Sequence, residues 1–462
     1  MTLIKSVSGI RGTIGGFQGE NLTPPDVVKF ISAYAAVLKS EHNGNPLVVI
    51  GRDGRISGEA LSSLVASTLS LCGVDVIDCG LSTTPSVEMA VLRKSADAGI
   101  ICTASHNPRE WNALKFLDHN GEFISAELGM EIVRSAEEDD FVYATSERIG
   151  SIEFYPDSID DHVRDVLNMK LVDADLVRQQ NYRVCVDAIN STGAIAIPLL
   201  LKKMGVESLV LFGDDFGNFA HEAEPLPKNL THLVKAIVES GFDLGVAVDP
   251  DVDRLVLVAE DGTHFGEEYT LVAIADYYLS ELGTGNTVSN LSSSAALTEV
   301  TKNHGGSHFQ SAVGERHVVD LMKKEKALIG GEGNGGIICP DLHYGRDAVA
   351  GLALFLTFLA KSGKRVSELR ARYPDYFMAK EKIELKGSSD VPQLLDKISL
   401  HYQDRQMDRT DGLKIYFDNS WVHIRPSNTE PILRIYTEAG SGKEAAELAE
   451  EMIQIIGKSE SK

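Results

Sequence analysis

Cysteine is scarce in this chain, and the few present do not pair. Cys72, Cys79, Cys102, Cys185 and Cys339 are spread over 462 residues, odd in number, with no CxxC and no Cys/His ligand spacing. That excludes a disulfide scaffold and a zinc finger. Four of them sit in apolar or strand-like stretches, where a thiol acts as a small hydrophobe. Long hydrophobic runs are lacking too. The greasiest, residues 348–360, falls short of the ~20 residues that a membrane span needs, and reads as a buried core helix. The first twelve residues hold no apolar run of signal-peptide length. A reducing, cytoplasmic location is the expectation. Basic residues are in deficit, with 44 Lys and Arg against 67 Asp and Glu, a formal net charge of −23. So acidic a surface repels polyphosphate backbones and anionic bilayers, so neither nucleic acid nor membrane is expected as a partner. A local group of arginines can still override the mean field and hold a small anion.

What is present is an ordinary globular composition, 43% hydrophobic and 24% charged. The length suggests about three or four domains at roughly 100–200 residues each. Short apolar strand runs alternate with longer helical patterns, the signature of α/β layering. Strands are expected at 47–50, 99–102, 184–186, 209–212, 244–248 and 255–258. Helices are expected at 25–40, 58–73, 194–204, 268–282, 347–362 and 443–456. The last carries a stripe of Ala446, Leu448, Ala449, Met452, Ile453 and Ile456, the mark of a packed terminal helix. No fixed short repeat appears, which argues against solenoids and propellers. Composition shifts place domain boundaries so that the units are 1–150, 151–254, 255–372 and 373–462.

Several expected strands run straight into polar, glycine-containing loops, and ligands of open α/β sheets gather at the carboxyl ends of strands. Asp249-Pro-Asp251-Val-Asp253-Arg254 follows one such strand. In extended backbone its three carboxylates would face one side. Oxygen ligands in so small a set suit Mg²⁺; a solvated acidic turn is the plain alternative. Thr103-Ala-Ser105-His106-Asn107-Pro108 follows another strand. It offers either an exposed serine nucleophile or a helix cap and Asx turn, and it is not a GxSxG elbow. Arg425-Pro-Ser427-Asn428-Thr429 combines a guanidinium, hydroxyls and an amide, either an anion cradle or a polar turn. Glu332 and Asn334 lie in a glycine-rich loop that can read sugar hydroxyls or simply bend. Arg52, Asp53 and Arg55 in GRDGR, with Arg11 in GIRG, read in isolation as surface turns with ion pairs.

Together and in this order the motifs resemble those of the α-D-phosphohexomutase family, and the resemblance spans nearly the whole chain. It implies three related α/β domains with mixed sheets and a smaller C-terminal α+β domain, set around one central cleft. Ser105 resembles the family's phosphorylated serine. Asp249, Asp251 and Asp253 resemble its Mg²⁺ ligands, with a phosphoserine oxygen completing the set. Glu332 resembles the reader of sugar hydroxyls, accompanied by Asn334. Arg425, Ser427, Asn428 and Thr429 resemble the loop gripping the non-reacting phosphate. Lys115, in NALKF, aligns with a general acid/base lysine. Arg11, Arg52 and Arg254 stand at positions of phosphate or active-site charge, and His106 and Asn107 flank the nucleophile. Physical chemistry agrees with this set. A phosphoserine adds about −1.5 to −2 charge, and beside three aspartates it needs a divalent cation.

The implied reaction moves a phosphoryl group from phospho-Ser105 to a sugar monophosphate, through a 1,6-bisphosphate that also serves as activator in its glucose or glucosamine form. In the sugar loop this chain has Asn334 where many bacterial relatives have serine, and Gly336 where they have histidine. His343 and Arg346 are candidates to compensate. An amide both donates and accepts, which suits a polar C2 substituent. The reading therefore leans to glucosamine 6-phosphate and its 1-phosphate, with phosphomannomutase/phosphoglucomutase activity as the alternative. A non-catalytic sugar-phosphate-binding protein is the alternative of another class. A haloacid-dehalogenase-type phosphatase would place its DxD near the first strand, where none occurs. A monomer or a homodimer acting on a small phosphosugar is expected.

Overall fold

The computed structural model describes residues 2–6, 9–41, 44–385, 390–427 and 432–460. Within them four sheets follow one another along the chain. The first runs in the order Ile4–Ser6, Gly9–Thr13, Trp111–Leu117, Ala98–Cys102, Leu47–Arg52, Asp75–Leu81, Ile152–Phe154. Its middle strands are parallel, and Trp111–Leu117 turns back antiparallel on Ala98–Cys102. Ala98–Cys102 is buried along its whole length, as a strand covered on both faces must be. Val48 and Ile50 join one apolar cluster while Val49 between them joins another. That is the two-residue period of a pleated strand feeding two layers.

The second sheet has the order Leu255–Ala259, Leu244–Val248, Arg183–Asp187, Glu207–Leu211, and the third His308–Ser311, Thr287–Asn290, Ile329–Glu332, Gly336–Ile338. These two layers share one apolar core. Helix Ala348–Ser362 lies within it and is buried from Ala348 through Ala360, as its apolar run requires. The fourth sheet is antiparallel throughout, in the order Phe377–Glu384, Ile432–Ala439, Trp421–Pro426, Leu413–Tyr416, Gln406–Asp408. Helices Val391–His401 and Gly442–Glu460 pack on it around a separate core.

Two expected boundaries cut through sheets. Ile152–Phe154 pairs with Asp75–Leu81 and so is the last strand of the first sheet. Leu255–Ala259 pairs antiparallel with Leu244–Val248 and so is the edge of the second. A break after residue 150 or 254 separates hydrogen-bonded strands, and the sheets change only past 154 and 259. The terminal stripe also shifts. Ala446 is exposed, and the buried face is Ala445, Ala449, Met452 and Ile456. No helix among the described residues is long and apolar enough to cross a membrane, and all five cysteines are buried and free.

Candidate active site

Loops from the first three sheets meet at one cluster of acidic side chains. Asp249, Asp251 and Asp253 are fully buried, and a ligand atom from each lies within 4.8 Å of the others. The extended backbone expected here is not what brings them together. Residues 249–254 form the turn between two antiparallel strands, closed by Val252 N–H donating to the Asp249 carbonyl (3.1 Å). Val252 itself has φ of +62°. A β-branched residue avoids that left-handed region, and its presence marks strain held by surrounding structure.

Ser105 sits just past the end of Ala98–Cys102, also at positive φ (+49°). Its hydroxyl donates to Asp249 Oδ2 at 2.8 Å. Arg55 holds this loop. It is only 1% exposed, and its guanidinium donates to the carbonyls of Ser105 (2.6 Å), Asn107 (2.7 Å), Pro108 (2.6 Å) and Trp111 (2.9 Å). Arg55 Nε is in turn paired with Asp53 at 3.0 Å. Asp53 also accepts from Thr103 (2.7 Å), whose oxygen accepts from the Ser105 N–H (2.9 Å).

Each triad carboxylate has one oxygen tied down by protein. Asp249 Oδ1 accepts the backbone N–H groups of Asp253 and Arg254, both at 3.2 Å. Asp251 Oδ2 accepts from Lys115 Nζ (3.0 Å) and Thr84 Oγ1 (2.8 Å). Asp253 Oδ2 accepts from Arg346 Nη2 (2.5 Å). The other oxygens of Asp251 and Asp253 are buried without a hydrogen-bond partner. The remaining Asp249 oxygen meets the serine hydroxyl. Buried carboxylate oxygens left bare are costly, and three single oxygens beside a serine are the donor set of a small, hard divalent cation. The residues fit such an ion. Burial, together with Asp253 and Asp251, pushes the Asp249 carboxyl well above its usual value. Burial would also raise Asp251, but Lys115 and its other donors outweigh it and hold it low.

The other expected residues divide into those at this cluster and those elsewhere. Burial would pull Lys115 down, yet Asp251 and Asp253 raise it, so it stays an ammonium. His106 Nδ1 lies 2.9 Å from Arg254 Nη2 and 3.3 Å from Ser105 Oγ. Arg254, then desolvation, drives its pKa far down, so the ring is neutral and accepts from Arg254. Arg254 also pairs with Glu224 at 3.2 Å. Arg11 lies on Gly9–Thr13 opposite Ala113; desolvation lowers its pKa, and no acid pairs with it among the described residues. Arg52 turns instead toward Glu59 (3.8 Å) and the Asp53 carbonyl.

Glu332 ends its strand with both oxygens engaged. Oε1 accepts from Asn290 Nδ2 (2.9 Å) and the Gly314 N–H (3.2 Å), and Oε2 from Arg346 Nη1 (2.8 Å). Burial would raise its pKa, but Arg346 and these donors lower it, so it is an anion. Asn334 Oδ1 accepts from the Gly336 N–H at 3.3 Å. Arg425 Nε pairs with Asp411 at 2.9 Å, and Asp411 also accepts the Val313 N–H (3.0 Å). The neighbouring amides of Val313 and Gly314 thus serve the C-terminal domain and the sugar loop. Ser427 is held by its backbone N–H to the Ile432 carbonyl (2.9 Å). Asn428 and Thr429 lie outside the described residues.

Sequence reading missed Thr84, Asn290, Asp411 and Glu315, which pairs with Arg346 at 2.9 Å, and assigned no site role to Arg55. The doubled arginine of GRDGR was a signal for Arg55; the rest have none nearby. A second buried cluster, His162, His343 and Asp347, also has metal-like spacing. There Asp347 is already saturated. Oδ1 caps helix Ala348–Ser362 through the N–H groups of Val349 and Ala350, and Oδ2 meets His162 Nε2 (2.8 Å) and His343 Nε2 (3.2 Å). His343 also faces Glu88 of the first layer at 3.2 Å. This cluster reads as an ionic tie between layers.

Comparison with known proteins agrees along the whole chain. Residues 3–143, 160–262 and 266–376 match the phosphoglucomutase/phosphomannomutase alpha/beta/alpha domains I, II and III. Residues 378–455 match the C-terminal domain of the same proteins. A protein of Thermococcus kodakarensis named phosphoglucomutase/phosphomannomutase is 35% identical over 96% of this chain and 98% of its own. A Methanopyrus kandleri protein named probable phosphoglucosamine mutase is 34% identical over 97% and 96%. Among solved structures, a phosphoglucomutase/phosphomannomutase family protein of Burkholderia thailandensis shares the fold with a TM-score of 0.85. It is 24% identical, over 99% of this chain and 97% of that one.

Proposed function

The chain belongs to the phosphoglucomutase/phosphomannomutase family, with all four of its domains in order, and is a phosphohexomutase; we propose that it exchanges phosphate between C6 and C1 of a hexose through Ser105. The observation that carries this is the 2.8 Å bond from Ser105 Oγ to Asp249 within a buried carboxylate triad. Asp249, Asp251 and Asp253 would hold Mg²⁺ through one oxygen each. The ion, when bound, neutralises phosphoserine charge and polarises the phosphoryl group.

The steps that belong to this chain follow from its own groups. The P–O bond to Ser105 Oγ breaks as a bond forms from phosphorus to the free hydroxyl oxygen of the sugar. Lys115, held as an ammonium, gives its proton to Ser105 Oγ as that oxygen leaves phosphorus, and the amine so formed takes up the proton that the sugar hydroxyl loses. The resulting 1,6-bisphosphate turns over, and Ser105 takes the other phosphate. Glu332, anionic and fixed from three sides, accepts from adjacent sugar hydroxyls in either pose. Arg425, with Ser427, Asn428 and Thr429, grips the phosphate that does not react. Arg11, basic and without an acidic partner among the described residues, suits an anion entering the cleft.

Glucosamine 6-phosphate is the proposed substrate, supported by the polar Asn334 in the sugar loop and by the name of the Methanopyrus protein. The Thermococcus protein's name favours phosphomannomutase/phosphoglucomutase activity as the second reading. A coupled assay with glucosamine, glucose and mannose phosphates, Mg²⁺ and a bisphosphate primer decides between them. Ser105→Ala should abolish turnover and remove the phosphate adduct from the intact mass. Full activity in that variant would overturn the assignment.

A further inference from the structure

One buried guanidinium joins the triad to the sugar loop. Arg346 Nη2 donates to Asp253 Oδ2 (2.5 Å), Nη1 to Glu332 Oε2 (2.8 Å) and Nε to Glu315 Oε2 (2.9 Å). Its backbone N–H also reaches Glu315 Oε1 (3.2 Å). The backbone there is fixed by the neighbour, since Asp347 caps the following helix and is tied to His162 and His343. Space for the side chain comes from Gly336, where a Cβ would meet Arg346 Cδ at 2.3 Å.

We infer that Arg346 is a positioning residue that restricts Asp253 to one metal-facing oxygen, so setting the cation preference of the triad, while the same guanidinium orients Glu332 toward the sugar. This rests on the reading of the triad as a cation site. Asp253 Oδ1 is buried and bare, whereas Oδ2 is spent on the arginine. Lys115 and Thr84 impose the same restriction on Asp251, and two backbone amides impose it on Asp249. Three one-oxygen carboxylates leave half an octahedron open, which suits a small six-coordinate ion. A larger ion such as Ca²⁺ takes six to eight oxygens and commonly binds a carboxylate through both. Among these clamps Arg346 alone also holds Glu332, so cation preference and sugar binding depend on one side chain.

The test measures Mg²⁺ and Ca²⁺ affinities by calorimetry on unphosphorylated protein, beside kcat and KM for the phosphosugar. In Arg346→Met, Asp253 Oδ2 is freed. The Ca²⁺-to-Mg²⁺ affinity ratio should rise on the order of tenfold, and KM should rise by a similar factor as Glu332 loses one charged hydrogen bond. Arg346→Lys keeps one charge but lacks the planar fork, so it should recover one of the two effects and not both. Gly336→Ala keeps every charged group and displaces the arginine stem, and should move ratio and KM in the same directions by less. It decides the matter if Arg346→Met does not fold. An unchanged ratio in a folded Arg346→Met protein, or a wild-type ratio and KM in Gly336→Ala, overturns the inference. Ser105→Ala separates the two claims: turnover there would sink the mutase reading, while the affinity ratio is read without turnover.

Discussion

Replacing Arg55 with lysine tests whether the serine loop is held by a single side chain. Arg55 is the largest fully buried side chain among the described residues. It satisfies the Asp53 carboxylate and four loop carbonyls at 2.6–3.0 Å. A lysine ammonium keeps the charge but has three N–H donors on one atom, so about two of the five acceptors are left bare. At about 1–3 kcal/mol for each buried group unsatisfied, the loss is about 2–6 kcal/mol. If all of it falls on the placement of Ser105, kcat/KM drops roughly 30-fold to 10⁴-fold, at ~1.36 kcal/mol per decade. The assay is coupled turnover, with intact mass for the serine phosphate and circular dichroism for folding. Arg55→Met adds a control, since it strands Asp53 and costs about 3–5 kcal/mol as a broken buried pair. Adding Asp53→Asn should restore much of that stability without restoring turnover. A folded Arg55→Lys enzyme within about threefold of wild-type kcat/KM would refute the reasoning, because the bare carbonyls would then cost less than ~1 kcal/mol.

Two further outcomes follow from pairs between layers. Burial raises the Glu88 carboxyl to about 8; burial would lower His343, but Asp347 and Glu88 outweigh it and hold it at about 10. Both groups keep protons in the folded state that the unfolded chain has released, so stability falls as pH rises. The Glu88 part is complete below its ordinary 4.5 and is lost through about 8. The His343 part is complete below 6.5 and is lost through about 10. Urea midpoints should therefore decline from neutral to alkaline pH, and the double variant Glu88→Gln/His343→Asn should flatten the decline; equal slopes would reject the assignment of the retained protons to Glu88 and His343. Asp411→Ala removes the shared acceptor of Arg425 and Val313. KM for the phosphosugar should rise on the order of tenfold with the Ser105 phosphate content unchanged, and a loss of that phosphate instead would point to a role nearer the triad.

Much of the site was legible in the chain because its parts are local. Three aspartates within five residues, a serine at the end of a buried strand and an arginine-rich loop each declare themselves by type and spacing. The apolar run of 348–360 likewise foretold a buried helix, since its only polar side chain, Thr357, donates to the Ala353 carbonyl and leaves no polar face to show water. Domain limits were less legible. Edge strands such as Leu255–Ala259 follow a functional loop with no change in composition, and only pairing assigns them to a sheet.

The sequence alone named the candidate site residues and determined the layered α/β class, because residue type and short spacing carry that information. Folding decided how each group is held. Ser105 meets Asp249 across 144 positions, Thr84 meets Asp251 across 167 and Arg346 meets Asp253 across 93. Pairs so distant leave no periodic mark in the chain. The turn at Val252, adopted against its own preference, shows the same thing: a conformation that surrounding packing enforces is not encoded by the residue that adopts it.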